Sequence, residues 1–141
     1  MNAYDLLNLD KLDKKEKIEK AIQETRMELR NFPVEQACII YSNALRKNLA
    51  RNHVLNRSID TKDYEYPYSH HFNLVPIDEE HLYLIDLTFS QFQRPVFPEL
   101  LEKGYTVVDE NTFPSYMRIV GNSDKPVSLK EVFETETVRR R

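Results

Sequence analysis

Two apolar–polar alternating segments, "HHFNLVPI" (70–77) and "HLYLIDLTF" (81–89), lie end to end with only "DEE" between them. Successive strand side chains point to opposite faces, so a pair of such segments joined by a short polar stretch reads as an antiparallel hairpin. A hairpin with an apolar face has to be covered by amphipathic elements. With two glycines in the whole chain, the tight turns must rely on Asn, Asp and Pro.

The covering elements come first in the chain. "LDKKEKIEKAIQETRMELRNF" predicts an amphipathic helix, with Ile18, Ile22, Thr25 and Leu29 at helical spacing and Asp13 with Glu16 arranged as a capping box. Pro33 breaks that pattern or opens the next helix. "EQACIIYSNALRKNLARN" predicts a second helix, with Cys38 in its early part and Cys38, Tyr41, Leu45 and Leu49 along one stripe. Residues 52–69 read as a loop or a weak edge strand. After the hairpin, Pro98 to Lys103 form a short helix stopped by Gly104, then "YTVV" forms a short strand. Two further short helices follow, the last opened by "SLKE". Helices first, then a sheet, then small elements make an α+β chain. A single domain over 1–134, with N-terminal helices packed on an antiparallel sheet, and a frayed tail at 135–141 are expected.

Charge and composition exclude several classes. The net charge of −3 leaves no electrostatic footprint for nucleic acid, and the terminal "RRR" is too short to change that. The sequence contains no apolar run near the length of a membrane span and no signal-peptide pattern. One cysteine cannot form an internal disulfide, which fits a cytoplasmic protein or one delivered into a target cell. Neither Cys-x-x-Cys nor His-x-x-x-His spacing occurs, and neighbouring strand histidines diverge, so Cys38, His70 and His71 do not read as a zinc site. A Gly-rich phosphate loop is impossible here. No cofactor is expected.

Three polar residues stand out by placement. Cys38 lies early in a helix, His70 and His71 open the first hairpin strand, and Asp86 ends the second. Antiparallel pairing sets the start of one strand beside the end of the next, so His70 or His71 is expected across from Asp86, with at most one of the two histidines serving the site. A helix packed on that sheet brings thiol, imidazole and carboxylate together in that order. A free thiol is only a few per cent thiolate at neutral pH, and a nearby imidazolium helped by a helix N-terminus lowers its pKa. The carboxylate holds the imidazole in orientation and tautomer.

"HHFNLV…LYLIDLTFSQF" resembles the His–Asp hairpin of papain-like and transglutaminase-like cysteine enzymes, in which His-x-aromatic-Asn begins one strand and a "Leu-Ile-Asp-x-Thr" type segment ends the next. "ACIIYSNALRKNL" is similar to their nucleophile helix, and the chain order Cys, His, Asp is also theirs. Gln91, five residues after Asp86, matches a glutamine of the bacterial toxin deamidases in that superfamily. The resemblance spans Val34 to Phe92. It implies a thioester-forming amide hydrolase or acyltransferase acting on protein or peptide substrates, with Cys38 as nucleophile, Asp86 as orienting carboxylate and His70 as the catalytic imidazole. His71 stands as the alternative, because turn length at "DEE" can absorb either count. Glutamine deamidation or transamidation is the expected chemistry. A cysteine protease of the same superfamily and a catalytically silent protein-binding module are the alternatives.

The departure from that pattern is at the nucleophile. A glycine often precedes it there, whereas Gln36 and Ala37 precede Cys38 here. Gln36 or Gln91 is therefore expected to supply a side-chain donor to the oxyanion. Asn73 is expected to make a structural hydrogen bond. Tyr64, Tyr66 and Tyr68 are expected to pack the loop before the histidines or to wall a cleft. His53 and His81 have no partner that the sequence identifies.

Overall fold

The computed structural model describes residues 3–125, 127–129, 131 and 132, with side chains from Asp13 onward. The expected tail at 135–141 lies outside the described residues. Among these, the chain forms helix α1 (Ala3–Glu28), helix α2 (Cys38–Arg51), strands β1 (Arg57–Asp60), β2 (His71–Pro76) and β3 (Leu82–Ile85), helix α3 (Pro98–Lys103), strand β4 (Tyr105–Val108) and helix α4 (Phe113–Gly121). The architecture is α+β, as the order of patterns implied: a four-stranded antiparallel sheet ordered β1-β2-β3-β4, with helices on both faces.

The hairpin fixes which side chains face which layer. In its register Asn73 lies opposite Ile85 and Pro76 opposite Leu82. Phe72, Leu74, Leu82 and Leu84 therefore share one face with Ile59 of β1 and Val108 of β4. They are buried against Leu100 of α3, against Phe113, Tyr116, Met117 and Val120 of α4, and against Val127, Leu129 and Val132. The opposite face carries Val75, Tyr83, Ile85 and Tyr105, buried against Ile18, Ala21 and Ile22 of α1 and Leu45 and Leu49 of α2. Burying a Leu, Ile or Phe side chain contributes about 1.5–3 kcal/mol, so these two clusters supply most of the drive to form the three layers.

The short elements mostly follow their sequence signals. Residues 57–60 are the anticipated edge strand, followed by a 3₁₀ turn at Thr61–Tyr64. Gly104 ends α3 in the left-handed conformation at φ 86°. Ser128 Oγ accepts the Glu131 N–H at 3.1 Å, the bond an N-cap makes.

One expected boundary is wrong. Asp13 does not cap a helix; it lies well inside α1 and pairs with Lys17 at 2.8 Å, one turn on. The residues preceding it include neither Gly nor Pro, so nothing stops the helix from extending to Ala3. The stripe Ile18, Ile22, Thr25 and Leu29 is nonetheless the buried one. Thr25 Oγ1 within it accepts a hydrogen bond from Asn48 Nδ2 at 2.9 Å, a buried link between α1 and α2.

Gly121, the last residue of α4, lies against the ring of Tyr66, and a Cβ there would collide with Tyr66 Cγ at 2.6 Å. Tyr66 is buried and tied by its hydroxyl to the Lys125 carbonyl, so it has little room to yield. Gly121→Ala is expected to destabilise the fold by about 1–3 kcal/mol, the usual cost of overpacking. Chemical denaturation followed by circular dichroism measures it, and an unchanged midpoint would contradict this packing.

Candidate active site

The site lies where β2 begins, β3 ends and α2 begins. Cys38 is the first residue of α2. Two residues earlier Gln36 takes the left-handed conformation, φ 61°, so the tight entry that a glycine commonly provides is made here by a glutamine. Ala37 occupies the N-cap without a side-chain cap, and its carbonyl accepts the first helical bond, from the Tyr41 N–H at 3.1 Å. An uncapped first turn carries partial positive charge beside the sulfur.

The first turn of α2 is held from two sides. Tyr41 donates its hydroxyl to the carbonyls of Phe32 (2.9 Å) and Leu29 (3.3 Å) just after α1. Ser42, one turn after Cys38, donates to Asn73 Oδ1 at 2.9 Å, and Asn73 Nδ2 returns a bond to the Ser42 carbonyl at 3.2 Å. Ser58 Oγ of β1 joins the same network at 2.8 Å from Ser42 Oγ. Asn73 thus makes the structural bond expected of it, locking α2 to the strand that carries the histidines.

Register parity settles which histidine meets Asp86. Continuing the β2–β3 pairing places Phe72 opposite Asp86, so the residue directly across is not a histidine as expected. His70 shares the face of Phe72 and reaches the carboxylate diagonally, with Nε2 2.8 Å from Asp86 Oδ2. The His70 backbone is tied to Thr61, its N–H to Oγ1 at 2.8 Å and its C=O to the Thr61 N–H at 3.0 Å. Its ring lies edge-on to Phe92, centroids 4.8 Å apart, and is only 2% exposed.

Asp86 is fully engaged. Oδ2 accepts the Tyr116 hydroxyl at 2.7 Å as well as His70, and Oδ1 accepts the N–H and the hydroxyl of Thr88 at 3.1 and 3.2 Å. Thr88 explains in physical terms why the "Asp-x-Thr" spacing matters: it holds the carboxylate from the far side.

The expectation that only one histidine serves the site fails. The Cys38 sulfur lies 3.8 Å from Nδ1 of His71, and the ring of His70 is near enough to lower the thiol as well. The reason is the end of a ladder. His70 turns its backbone toward Thr61, so the His71 N–H turns the other way, where β3 has already stopped. The sulfur sits beside the strand, where that N–H and the rings from both faces act on it. Nε2 of His71 in turn lies 3.4 Å from Asp60 Oδ2.

The electrostatics follow from these contacts. Burial pushes the Cys38 thiol up, but hydrogen bonds from His70 and His71 outweigh it and bring the thiol down to about 7. Burial works against the His70 imidazolium, and the Asp86 carboxylate overcomes it, raising His70 to about 9. Between those values a thiolate–imidazolium pair is the favoured state. Burial holds the Tyr116 hydroxyl far above the ordinary tyrosine range, with the Asp86 charge adding to it, so it stays a donor.

Cys38 and His70 open onto a cleft of about 660 Å³ whose walls include Tyr68, Phe92, Arg94 and Ile119. Gln36 and Gln91 line it as well. Gln91 bridges two parts of the site: Oε1 accepts the Gln36 N–H at 3.4 Å and Nε2 donates to Thr88 Oγ1 at 3.2 Å. The tyrosines divide between the two roles considered for them, Tyr64 and Tyr66 packed in the core and Tyr68 exposed on the cleft. His81 pairs with Asp78 in the hairpin turn, and His53 lies away from the site beside Val54 and Pro76.

Sequence reasoning did not single out Asp60 or Tyr116. Asp60 closes an edge strand with no distinguishing pattern. Tyr116 stands 30 residues from Asp86 and has a local signal only for helix burial.

No family model, curated protein or solved structure matches this chain.

The thiol shift gives a prediction independent of substrate. Alkylation of Cys38 by iodoacetamide is expected to rise with pH through about 7 as the thiolate forms. In His70→Ala the limb should move up toward the ordinary thiol range, lowering the rate at pH 6 on the order of 10- to 100-fold. Superimposable profiles would contradict the coupling of His70 to the sulfur.

Proposed function

We propose that this chain is a cysteine-dependent amide hydrolase or acyltransferase of the papain-like and transglutaminase-like type, acting on protein or peptide carboxamides, with glutamine deamidation or transamidation as its reaction. The single observation that carries the reading is a thiol at an uncapped helix N-terminus sharing a cleft with a buried histidine, whose far nitrogen is held by a carboxylate with no acceptor site idle.

The chemistry follows from which atoms are free. Nε2 of His70 is committed to Asp86, so Nδ1 is the nitrogen left to face the sulfur and the cleft. The thiolate attacks the carboxamide carbon, forming a C–S bond and an oxyanion. Nδ1–H protonates the departing nitrogen, the C–N bond breaks, and ammonia leaves an acyl-thioester. Nδ1, now unprotonated, takes a proton from water, whose oxygen attacks the same carbon. The C–S bond breaks, releasing the acid and restoring the thiolate. An amine in place of water gives transamidation by the same steps. The oxyanion is met by the Cys38 backbone N–H at the start of α2, together with a side-chain amide from Gln36 or Gln91, both on the cleft.

The deciding experiment incubates the protein, and separately Cys38→Ser, with glutamine-containing proteins and reads intact mass. Amide-to-acid conversion or cross-linking by the wild type alone is the expected result; chain cleavage would identify a protease, and identical spectra would refute the enzyme. Asp86→Asn should reduce turnover by roughly 10³- to 10⁴-fold by unsettling the His70 tautomer. Loss of a single oxyanion donor costs about 100- to 1,000-fold, so Gln36→Ala or Gln91→Ala should lower kcat far more than it raises KM. Wild-type kcat in both would remove the glutamines from that role. The pH profile of kcat/KM should rise through about 7 as Cys38 ionises and fall through about 9 as His70 loses its proton.

A further inference from the structure

The sulfur has a second imidazole–carboxylate couple, separate from the one that carries the proposed chemistry. His71 approaches Cys38 with Nδ1 at 3.8 Å and turns Nε2 to Asp60 Oδ2 at 3.4 Å. This repeats on the other side of the thiol the arrangement that His70 makes with Asp86. The two couples differ in surroundings. His70 and Asp86 are buried, and His70 lines the open cleft. His71 and Asp60 are half-buried, and His71 instead lines the small space behind the sulfur with Tyr41, Ser42 and Asn73.

Asp60 is itself held. Its Oδ1 accepts the Lys62 N–H at 3.0 Å and the Ser69 hydroxyl at 2.8 Å, which leaves Oδ2 directed to His71. A carboxylate at Nε2 places the hydrogen of the neutral ring on Nε2 and leaves the Nδ1 lone pair toward the thiol. The S–H bond can then break with its proton passing to Nδ1, giving a thiolate beside an imidazolium whose other N–H stays on Asp60.

We propose that His71 and Asp60 are a positioning pair that ionises and aims the Cys38 sulfur from behind, while His70 and Asp86 handle the proton on the cleft side. The inference rests on the cysteine-hydrolase reading for its catalytic meaning, but its measurement needs no substrate. The titratable groups around the sulfur are His70 and His71 where β2 begins and Tyr116 of α4, with Asp86 after β3 and Asp60 at the end of β1 on the far nitrogens of the two rings.

The test is the pH dependence of Cys38 alkylation in the full chain, with Asp60→Asn as the principal variant. Asparagine keeps an oxygen for Lys62 and Ser69 and replaces the charged acceptor facing His71 with a neutral NH2 donor, so the fold should persist while the couple is lost. The expected result is an acid limb moved upward, with the rate at pH 6 reduced about 3- to 10-fold, and a larger reduction in His71→Ala, both with thermal midpoints close to wild type. As a control, His81→Ala, in the hairpin turn and paired with Asp78, should leave the limb in place. If the wild-type limb lies near 7 and neither Asp60→Asn nor His71→Ala moves it, the second couple has no role and only this inference falls. If the wild-type limb itself lies in the ordinary thiol range, the hydrolase reading falls with it.

Discussion

The bond between His70 and Asp86 is the interaction on which the rest of the site depends. A buried imidazole ordinarily loses its proton, because burial disfavours charge. Here a carboxylate 2.8 Å away reverses that preference and raises the ring to about 9. Relative to a free histidine, that is a bias toward imidazolium of roughly 3 kcal/mol. The same proton helps bring Cys38 down to about 7 despite its own burial. The acidity of the thiol thus depends in part on where that carboxylate sits, with His71 lowering it as well.

The fold serves that placement from both faces of the sheet. On one face α4 delivers Tyr116 to Asp86, within a cluster that includes Phe72 and Phe113. On the other, α2 is pinned to β2 through Ser42 and Asn73, one turn below the sulfur. Thiol and carboxylate are therefore carried by different layers, Cys38 by α2 and Asp86 by the sheet, and meet at the end of the sheet, where β3 stops. A buried carboxylate that loses one of its partners is costly, about 3–5 kcal/mol when an ion pair is broken, so this end of the sheet is tightly specified.

Much of this was legible in the sequence, and the parts that were not share a cause. The hairpin, both long helices, the edge strand, the Gly104 stop and the chain order Cys38, His70, Asp86 all follow from local periodicity and turn chemistry. The choice between His70 and His71 did not, because it depends on strand register, and a hairpin turn of unknown geometry leaves parity open. Known register decides it at once: even-numbered residues of β2 and β3 share a face, and Asp86 is even-numbered. The rule that neighbouring strand residues diverge held for the two rings but misjudged the sulfur, which lies beside the strand instead of over a face. Asp60 and Tyr116 meet the site only through the folded sheet and α4, and no local pattern marks them. The capping box at Asp13 misled because its motif also fits a mid-helix ion pair with Lys17.

The histidine side chains can be observed directly. Nitrogen-detected NMR titration of ring-labelled protein, with His70 assigned by comparison with His70→Gln, measures the central claim without any substrate. A His70 ring protonated on both nitrogens through neutral pH and titrating near 9 is the predicted result. A His70 ring that titrates at or below the ordinary histidine value of 6.5 would contradict the account.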